Sequence, residues 1–239
     1  MTSALVRKLE TFVDLNEAQR TKLDLLCSDV RPVEAKATSF PMGSGPNIFM
    51  SWSKAGAAHY KDLPGGSRQI TALLLPGDFL DADVTILGRM DHSVSAITRC
   101  KVAYIKPDSL NALASEDNLL ARAFWWSTLV DEATLRSWLV NLGRRDAYAR
   151  IANLLCEIHA RMTLIGLVRE DRLDLPLTQD QIADATGLTA VHTNRTLQRL
   201  RADGLIGLGR RMLTVLDVPG LQRVAGFEPT FLHLVRRPG

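Results

Sequence analysis

The side chains best suited to chemistry in this chain lie between residues 178 and 211, and they are polar rather than catalytic. Residues 177–200 read Leu-Thr-Gln-Asp-Gln-Ile-Ala-Asp-Ala-Thr-Gly-Leu-Thr-Ala-Val-His-Thr-Asn-Arg-Thr-Leu-Gln-Arg-Leu. Arg195 can donate to guanine or phosphate, and Asn194 or Gln198 can pair with the edge of adenine. No acid–base pair accompanies them, so the pattern favours recognition of DNA over catalysis.

This segment predicts two short helices joined by a tight turn. Thr178 and Gln181 form a capping box, and Gly187 can take the left-handed conformation that ends the first helix. Thr189 is placed to cap the second helix, whose inward positions would be Thr193, Leu197 and Leu200. The residues predicted to face a groove or its phosphates are Thr178, Gln179, Thr189, Ala190, Val191, His192, Asn194, Arg195, Gln198 and Arg199.

A hairpin is predicted directly after the second helix. Two apolar pieces, Leu205-Ile206 and 212–215, flank Gly207-Leu208-Gly209-Arg210-Arg211. This pattern is typical of a β-hairpin wing whose tip presents Arg210 and Arg211 to a phosphate backbone. The alternative is a helical hairpin with a purely structural role, which would leave those two arginines and Arg195 without an explanation.

Length and composition indicate an ordinary globular protein of two domains. The chain has 239 residues, of which 46% are hydrophobic and 23% charged. No apolar run approaches the roughly 18 residues that a membrane-spanning helix needs, so no membrane partner is expected. The N-terminus meets charge at Arg7 and Lys8 before any long apolar run, unlike an export signal. We therefore expect a cytoplasmic protein.

Charge is distributed unevenly along the chain. Residues 1–143 carry 15 Lys+Arg against 16 Asp+Glu, whereas residues 144–239 carry 14 against 10. All basic residues after Lys106 are arginines. Arginine suits bidentate recognition of phosphate and guanine, so the C-terminal part is the expected nucleic-acid-binding region.

Two regions with different sequence patterns precede the C-terminal part. From Val30 to Ile105, short apolar stretches alternate with Gly- and Pro-rich turns, which favours a sandwich or jelly roll. Residues 115–142 contain no Gly or Pro and predict one long helix, ended by Gly143. A second apolar stripe on it (Trp125, Leu129, Leu139, Leu142) would lie against the chain's own β domain. The seam predicted to pair two such helices in a dimer consists of Leu119, Ala123, Trp126, Val130, Ala133, Ser137 and Val140; the alternative is a helix internal to one subunit.

The order of β-roll, long helix and winged helix-turn-helix resembles the cyclic-AMP receptor/fumarate-nitrate regulator (CRP/FNR) family of bacterial transcription factors. The motifs that carry the resemblance are Pro76-Gly77-Asp78-Phe79 and residues 177–206. It implies an α+β fold with a cyclic-nucleotide-binding-like β-roll (1–114), a dimerisation helix (115–143) and a DNA-binding domain (144–239). It also implies a homodimer on a near-palindromic site in double-stranded DNA, with RNA polymerase as a further partner.

The chain departs from the family pattern at the recognition helix and in the sensor. Ala190 and Val191 stand where cyclic-AMP-type members carry Arg-Glu, so a different base preference is expected, with Val191 better suited to a thymine methyl. Asp81-Ala82 and Met90-Asp91-His92 replace the family's cyclic-phosphate contacts, and an acid there would repel a phosphate. Cyclic AMP is therefore not expected as the effector.

Other cofactors are not expected either. Cys27, Cys100 and Cys156 are far apart, so an iron–sulfur cluster lacks ligands in the usual spacing. Asp78, Asp81 and Asp83 with His92 could be drawn as a metal or haem site, but a solvated acidic loop is the commoner explanation. A ligand pocket could be lined by Asp81, Asp83, His92, Trp125 and Trp126; the alternative is that the two tryptophans belong to the core.

Two functions outside transcription are alternatives for this sequence. The chain could be a ligand-binding module whose basic C-terminal part docks to a protein partner, which salt dependence of DNA binding would distinguish. It could also be an enzyme, but the common dinucleotide, phosphate-loop, zinc-protease and nucleophile-elbow motifs are absent from the sequence. The sequence therefore favours a DNA-binding regulator that is not an enzyme and whose signal is unidentified.

Overall fold

The computed structural model describes residues 3–35, 38–40, 48–51, 56–80, 84–175 and 177–233. The described chain forms two compact units, one with the residues up to Lys61, Ala72–Glu132 and His233, the other with Asp62–Thr71 and Ala133–Leu232. Within these ranges, no helix is long and apolar enough to cross a membrane. The mixture of helices and small sheets confirms the predicted α+β class.

Two helices open the first unit. Helix α1 spans Ala4–Leu9, and helix α2 spans Glu17–Leu26. A capping box explains the start of α2: Asn16 and Gln19 exchange hydrogen bonds of 2.9 and 3.0 Å. Helix α1 was not predicted, although four of its six residues are buried.

The β-roll predicted between Val30 and Ile105 is confirmed. Its strands form two antiparallel sheets, ordered β1-β7-β3 and β2-β6-β4-β5. Inward positions such as Val94 and Ala103 are fully buried, as expected for sheets that pack through one face. The strands are β1 (Val30–Val33), β2 (Thr38–Phe40), β3 (Ile48–Ser51), β4 (Ala57–Asp62), β5 (Arg68–Leu74), β6 (Ser93–Ala96) and β7 (Cys100–Ile105), with helix α3 (Val84–Leu87) after β5.

The long helix differs at both ends from its prediction. Residues 115 and 116 end a separate helix, α4 (Pro107–Glu116), and α5 spans Asn118–Arg144. Asp117 divides them because its carboxylate accepts from the backbone N–H groups of Leu119 and Leu120 at 3.0 and 3.1 Å. The prediction that Gly143 ends this helix is wrong: Gly143 lies inside α5, which continues to Arg144. Gly143 also lacks the positive φ of a glycine that terminates a helix.

The second unit is built around helix α6, which spans Ala147–Leu164 and packs against α7, α8 and α9. Asp146 starts α6 by accepting from the N–H of Ala149 at 2.8 Å. Ile151, Leu155 and Ile158 recur at helical spacing on one face of α6, and all three are fully buried. The later elements are β8 (Arg172–Asp174), α7 (Gln179–Thr186), α8 (Ala190–Ala202), β9 (Ile206–Gly209), β10 (Met212–Val215), α9 (Val218–Ala225) and a 3₁₀ turn (Pro229–Leu232). The boundaries 114/115 and 143/144 between functional domains stay predictions.

Candidate nucleic-acid interface

Helix α7 starts and stops where its sequence indicates. The Thr178 hydroxyl accepts from the N–H of Gln181 at 3.2 Å, and the Gln181 side chain accepts from the N–H of Thr178 at 2.8 Å. Gly187 ends the helix with φ of 64°, in the left-handed region that glycine adopts without strain. The small apolar face, which includes Ile182, is buried. The first half of the predicted helix-turn-helix is therefore confirmed.

Helix α8 separates an inward face from an outward one. Thr189 caps it by accepting from the N–H of His192 at 3.2 Å. The three predicted inward residues, Thr193, Leu197 and Leu200, are at most 1% exposed. Thr196 is also buried, which the sequence analysis missed although it follows Thr193 by three residues, one of the spacings that share a helix face.

The predicted groove-facing residues share the solvent-exposed side of this unit. Each of the ten residues that α7, α8 and their caps contribute is exposed, and Val191 retains 71% of its accessible surface. The side chain of Arg195 makes no hydrogen bond or ion pair with the described residues. Its guanidinium therefore has all its donors available to a ligand. That these residues touch DNA stays a prediction; each of them is exposed in the part of the chain that the structure describes.

Two side-chain hydrogen bonds orient amides on this face. The Nδ2 of Asn194 donates to the Oε1 of Gln179 at 2.8 Å. Near the other end of α8, the Nη1 of Arg201 donates to the Oε1 of Gln198 at 3.1 Å. The sequence predicts both amides on this face but not their partners. The distance from Asn194 to Gln179 depends on the packing of α7 on α8.

Arg199 has competing partners on its own chain. Its guanidinium lies over the ring of Tyr148, 4.4 Å from the ring centroid, and 3.9 Å from the Asp203 carboxylate. The Tyr148 hydroxyl donates to Asp203, and loss of hydration together with that carboxylate raises the pKa of Tyr148 to about 12. Arg199 therefore stays a weaker prediction for DNA contact than Arg195.

The predicted wing is a β-hairpin with a third strand. Strands β9 and β10 pair antiparallel, and Arg210 and Arg211 lie exposed at the turn between them. Arg211 has φ of 60°, and its carbonyl accepts from the N–H of Leu175 at 2.9 Å, which ties the turn to the chain beyond β8. Strand β8 pairs with β10. This third strand is not part of the wing predicted from the sequence.

Helix α5 buries part of the predicted pairing seam within the chain itself. Ala123, Val130 and Ala133 are between 0% and 6% exposed, because they pack inside the single chain. Leu119, Trp126 and Ser137 are half-buried, and Val140 is exposed. Three of the residues assigned to a partner helix are therefore already covered.

The second stripe of α5 is the outward one. Trp125 and Leu139 are 70% and 74% exposed, and Leu129 is exposed as well. The interpretation that this stripe lies against the chain's own β domain is therefore wrong for these three residues; Leu142 is half-buried. Since both stripes are apolar, periodicity could not rank them, and the direction was decided by packing.

The predicted ligand pocket falls only partly on described residues, and it stays a prediction. Trp125 points to solvent, whereas Trp126 stacks on Phe12 with ring centroids 5.8 Å apart, as the core alternative for Trp126 expected. His92 pairs with Asp91 at 2.7 Å and packs its ring against His59, 4.0 Å between centroids. Asp81 and Asp83 lie outside the described residues. Among those described, no group of three or more metal-ligating side chains occurs.

The β-roll turn that contains Gly77 and Asp78 contacts helix α1 of the same chain. Gly77 has φ of 93°, and a Cβ there would approach the carbonyl oxygen of Ala4 to 2.7 Å. Asp78 is buried and forms a 2.7 Å ion pair with Lys8. Hydrogen bonding to His92 lowers the pKa of Asp91, so an anionic carboxylate stands where the family's nucleotide-binding members need a cation. The described residues here do not fit a cyclic phosphate.

Comparison with known proteins places these features in one family. Residues 149–224 match the Crp-like helix-turn-helix domain. The chain is 32% identical to the transcriptional activator protein FnrL of Cereibacter sphaeroides over 67% of this chain and 66% of that protein. It is 30% identical to the nitrogen fixation regulation protein FixK of Bradyrhizobium diazoefficiens over 70% of this chain and 69% of that protein. These alignments thus span about two thirds of the relatives' lengths.

Solved structures agree with this placement. The structure of FixK2 from Bradyrhizobium japonicum covers 82% of this chain and 96% of its own, with 26% identity and a TM-score of 0.71. The structure of a CooA mutant from Carboxydothermus hydrogenoformans covers 90% of this chain and 97% of its own, with 17% identity and a TM-score of 0.64. This similarity supports the fold. The chain belongs to the CRP/FNR family of DNA-binding transcription regulators, which are not enzymes.

Proposed function

We propose that this protein is a homodimeric, sequence-specific regulator that inserts helix α8 into the major groove of each half-site. The observation that carries the proposal is the division of α8 into a buried face (Thr193, Leu197, Leu200) and an exposed face rich in hydrogen-bonding groups. Exposed arginine and amide side chains at such positions are suited to base edges. The exposed Arg210 and Arg211 at the wing turn support the same orientation towards a phosphate backbone.

The residues divide into those that position the protein and those that read sequence. Thr178 and Thr189 lie at helix N-termini, where hydroxyl and N–H groups bind phosphate oxygens. Arg195 reads guanine, since its fork of donors matches the O6 and N7 atoms. Val191, being apolar and exposed, packs against a thymine methyl. This assignment gives the protein a base preference unlike that of an Arg-Glu recognition helix.

The dimer forms through the outward stripe of α5, extended by Val140, the exposed residue of the predicted seam. Trp125, Leu129 and Leu139 recur along one side of the helix, and the exposed Leu135 and Val140 widen the apolar surface. A run of exposed apolar residues on a long helix is typical of an interface. A second copy of the chain is the occupant, because two-fold symmetry matches half-sites about 34 Å apart.

The signal and the transcriptional partner are assigned at a coarser level. The β-roll takes a signal other than cyclic AMP, which the anionic Asp91 supports. DNA-bound dimers of this kind act on RNA polymerase, which we include as a partner. Direct action of the dimer on transcription would then depend on where its site lies relative to a promoter.

Binding-site selection from random duplex DNA tests this function. We expect a two-fold-symmetric motif, followed by titrations in which log affinity falls steeply with log salt concentration. A dimer that neutralises six phosphates would show a slope of about −5. Recovery of no enriched sequence, together with salt-independent behaviour, would overturn the proposal and favour a module that docks to protein.

A further inference from the structure

The hydrogen bond between Asn194 and Gln179 joins the two helices of the helix-turn-helix on their exposed side. The Nδ2 of Asn194 lies 2.8 Å from the Oε1 of Gln179, although the residues are 15 positions apart in the chain. Gln179 is the first residue of α7, and Asn194 lies in the first half of α8. Both side chains are exposed, so this contact adds little to folding.

The consequence of the contact is orientation. In the structure the Nδ2 group of Asn194 turns towards the Oε1 acceptor of Gln179, and Oδ1 is turned away. Asn194 then keeps one N–H donor and the whole of its Oδ1 acceptor for a ligand. Adenine presents the complementary pair in the major groove, with N7 as acceptor and the N6 amine as donor.

Gln198, the other amide on this face, is placed less favourably. Its Oε1 already accepts from Arg201 at 3.1 Å, and it lies one turn closer to the C-terminus of α8. The N-terminal residues of a recognition helix are those that reach base edges. Position and available atoms therefore both favour Asn194 as the amide that reads a base.

We propose that Asn194 reads one adenine in each half-site through two hydrogen bonds, and that Gln179 is the positioning residue that holds the Asn194 amide in the productive orientation. This inference rests on the proposed function, since it assigns a role within the same DNA-binding face. Orienting the amide in the free protein removes part of the entropy that would otherwise be lost on binding. Gln179 thus contributes to base discrimination without contacting the base.

The experiment measures affinity for the selected operator and for duplexes with each of the other three base pairs at the adenine position. In the wild type, a change at one half-site should weaken binding at least about fivefold, the lower end for a bidentate contact. Asn194→Ala should bind all four duplexes equally while retaining discrimination at the guanine read by Arg195. Operator containing 7-deazaadenine, which lacks N7, should weaken wild-type binding but not binding by Asn194→Ala.

Two variants of Gln179 separate positioning from phosphate contact. Gln179→Ala should reduce adenine discrimination severalfold, and in the Asn194→Ala background it should change discrimination no further. Gln179→Glu keeps the acceptor for Asn194, so it should retain the discrimination even though the added negative charge weakens binding to every duplex. Circular dichroism and thermal unfolding verify that each variant is folded.

The outcomes distinguish this inference from the proposed function. If the wild type selects no symmetric site, the proposed function fails. If it selects a site, but Asn194→Ala retains every base preference, then the reading role is refuted. If Gln179→Ala weakens all duplexes equally and leaves discrimination intact, Gln179 is only a phosphate contact and its positioning role is refuted.

Discussion

The indole Nε1 of Trp138 donates a 2.6 Å hydrogen bond to the carboxylate of Glu157, which is 1% exposed. Trp138 lies on α5 and Glu157 on α6, so the bond ties the last part of the long helix to the first helix of the DNA-binding region. Arg161, one turn later on α6, donates to the same carboxylate at 2.9 Å. A buried charge that is paired and hydrogen-bonded in this way depends on each of its donors.

Trp138→Phe should therefore lower the free energy of unfolding by at least about 1–3 kcal/mol, because Glu157 loses a buried donor and the smaller phenyl ring leaves part of the buried indole space empty. Urea denaturation checks this value. Glu116→Gln is the control: it changes an exposed glutamate on α4, 3.9 Å from Lys22, and should alter stability by less than about 0.5 kcal/mol. Equal, small effects of the two substitutions would show that the buried bond contributes nothing.

Leu129→Asp should convert the dimer to folded monomers, because it places a charge in the middle of the outward stripe of α5. Analytical ultracentrifugation gives the mass, and circular dichroism verifies the fold. Val130→Asp is the matched comparison one residue along. Val130 is 6% exposed within the single chain, so that variant should lose stability rather than dissociate cleanly. If Leu129→Asp remains dimeric, the outward stripe of α5 is not the interface, and the predicted seam is favoured instead.

Arg195→Ala should cost about 1–3 kcal/mol of specific binding and should relax the preference for guanine at one position of the half-site. Arg195→Lys should not restore that preference, since a lysine cannot make the bidentate contact. Fluorescence anisotropy on the selected operator and its single-base variants measures both. Arg20→Ala, which removes the same charge from α2, serves as the control for net charge. An unchanged guanine preference in Arg195→Ala would contradict the assignment.

Arg210→Ala should weaken binding to specific and random duplexes by a similar factor and reduce the magnitude of the salt slope by about 1. The physical reason is that the wing turn contacts the phosphate backbone, whose charge does not depend on sequence. Titrations at several salt concentrations test this. Loss of affinity confined to the specific operator would mean that Arg210 reads bases.

Stability should fall as the pH decreases from about 6.5 towards 3, owing to His59. The Nε2 of His59 donates to the carbonyl of Leu80. Burial, and secondly the neighbouring His92, lower the pKa of His59 from 6.5 to about 3. The charges of Asp78 and Asp91 act in the opposite direction but are weaker. The folded state thus keeps His59 neutral while the unfolded chain takes up a proton, which costs up to about 1.4 kcal/mol per pH unit.

The comparison of wild type with His59→Gln isolates this contribution. The glutamine keeps an N–H donor for Leu80 but does not titrate, so its unfolding free energy should fall less steeply below pH 6.5. Above pH 7.5 the two profiles should run parallel. Identical slopes between pH 4 and 6.5 would show that His59 does not control acid stability.

Local structure was predictable wherever neighbouring residues determine it. The caps at Thr178 and Thr189, the left-handed Gly187 and three of the four buried positions of α8 depend on residues within one or two turns, and the sequence predicts them correctly. The wing followed from its turn residues in the same way. Gly143 shows the limit of such reasoning, because a glycine permits a helix to end but does not oblige it to.

The sequence by itself determined the family, the order of β-roll, long helix and winged helix-turn-helix, and the set of side chains on the exposed face of α8. Tertiary structure alone decided which apolar stripe of α5 turns inward, that Arg199 lies over Tyr148, and that Gln179 meets Asn194. Periodicity says that a helix has an apolar face but not what covers it, and contacts between residues distant in the chain depend on how helices pack. That is why the positioning of Asn194 emerged from the folded chain.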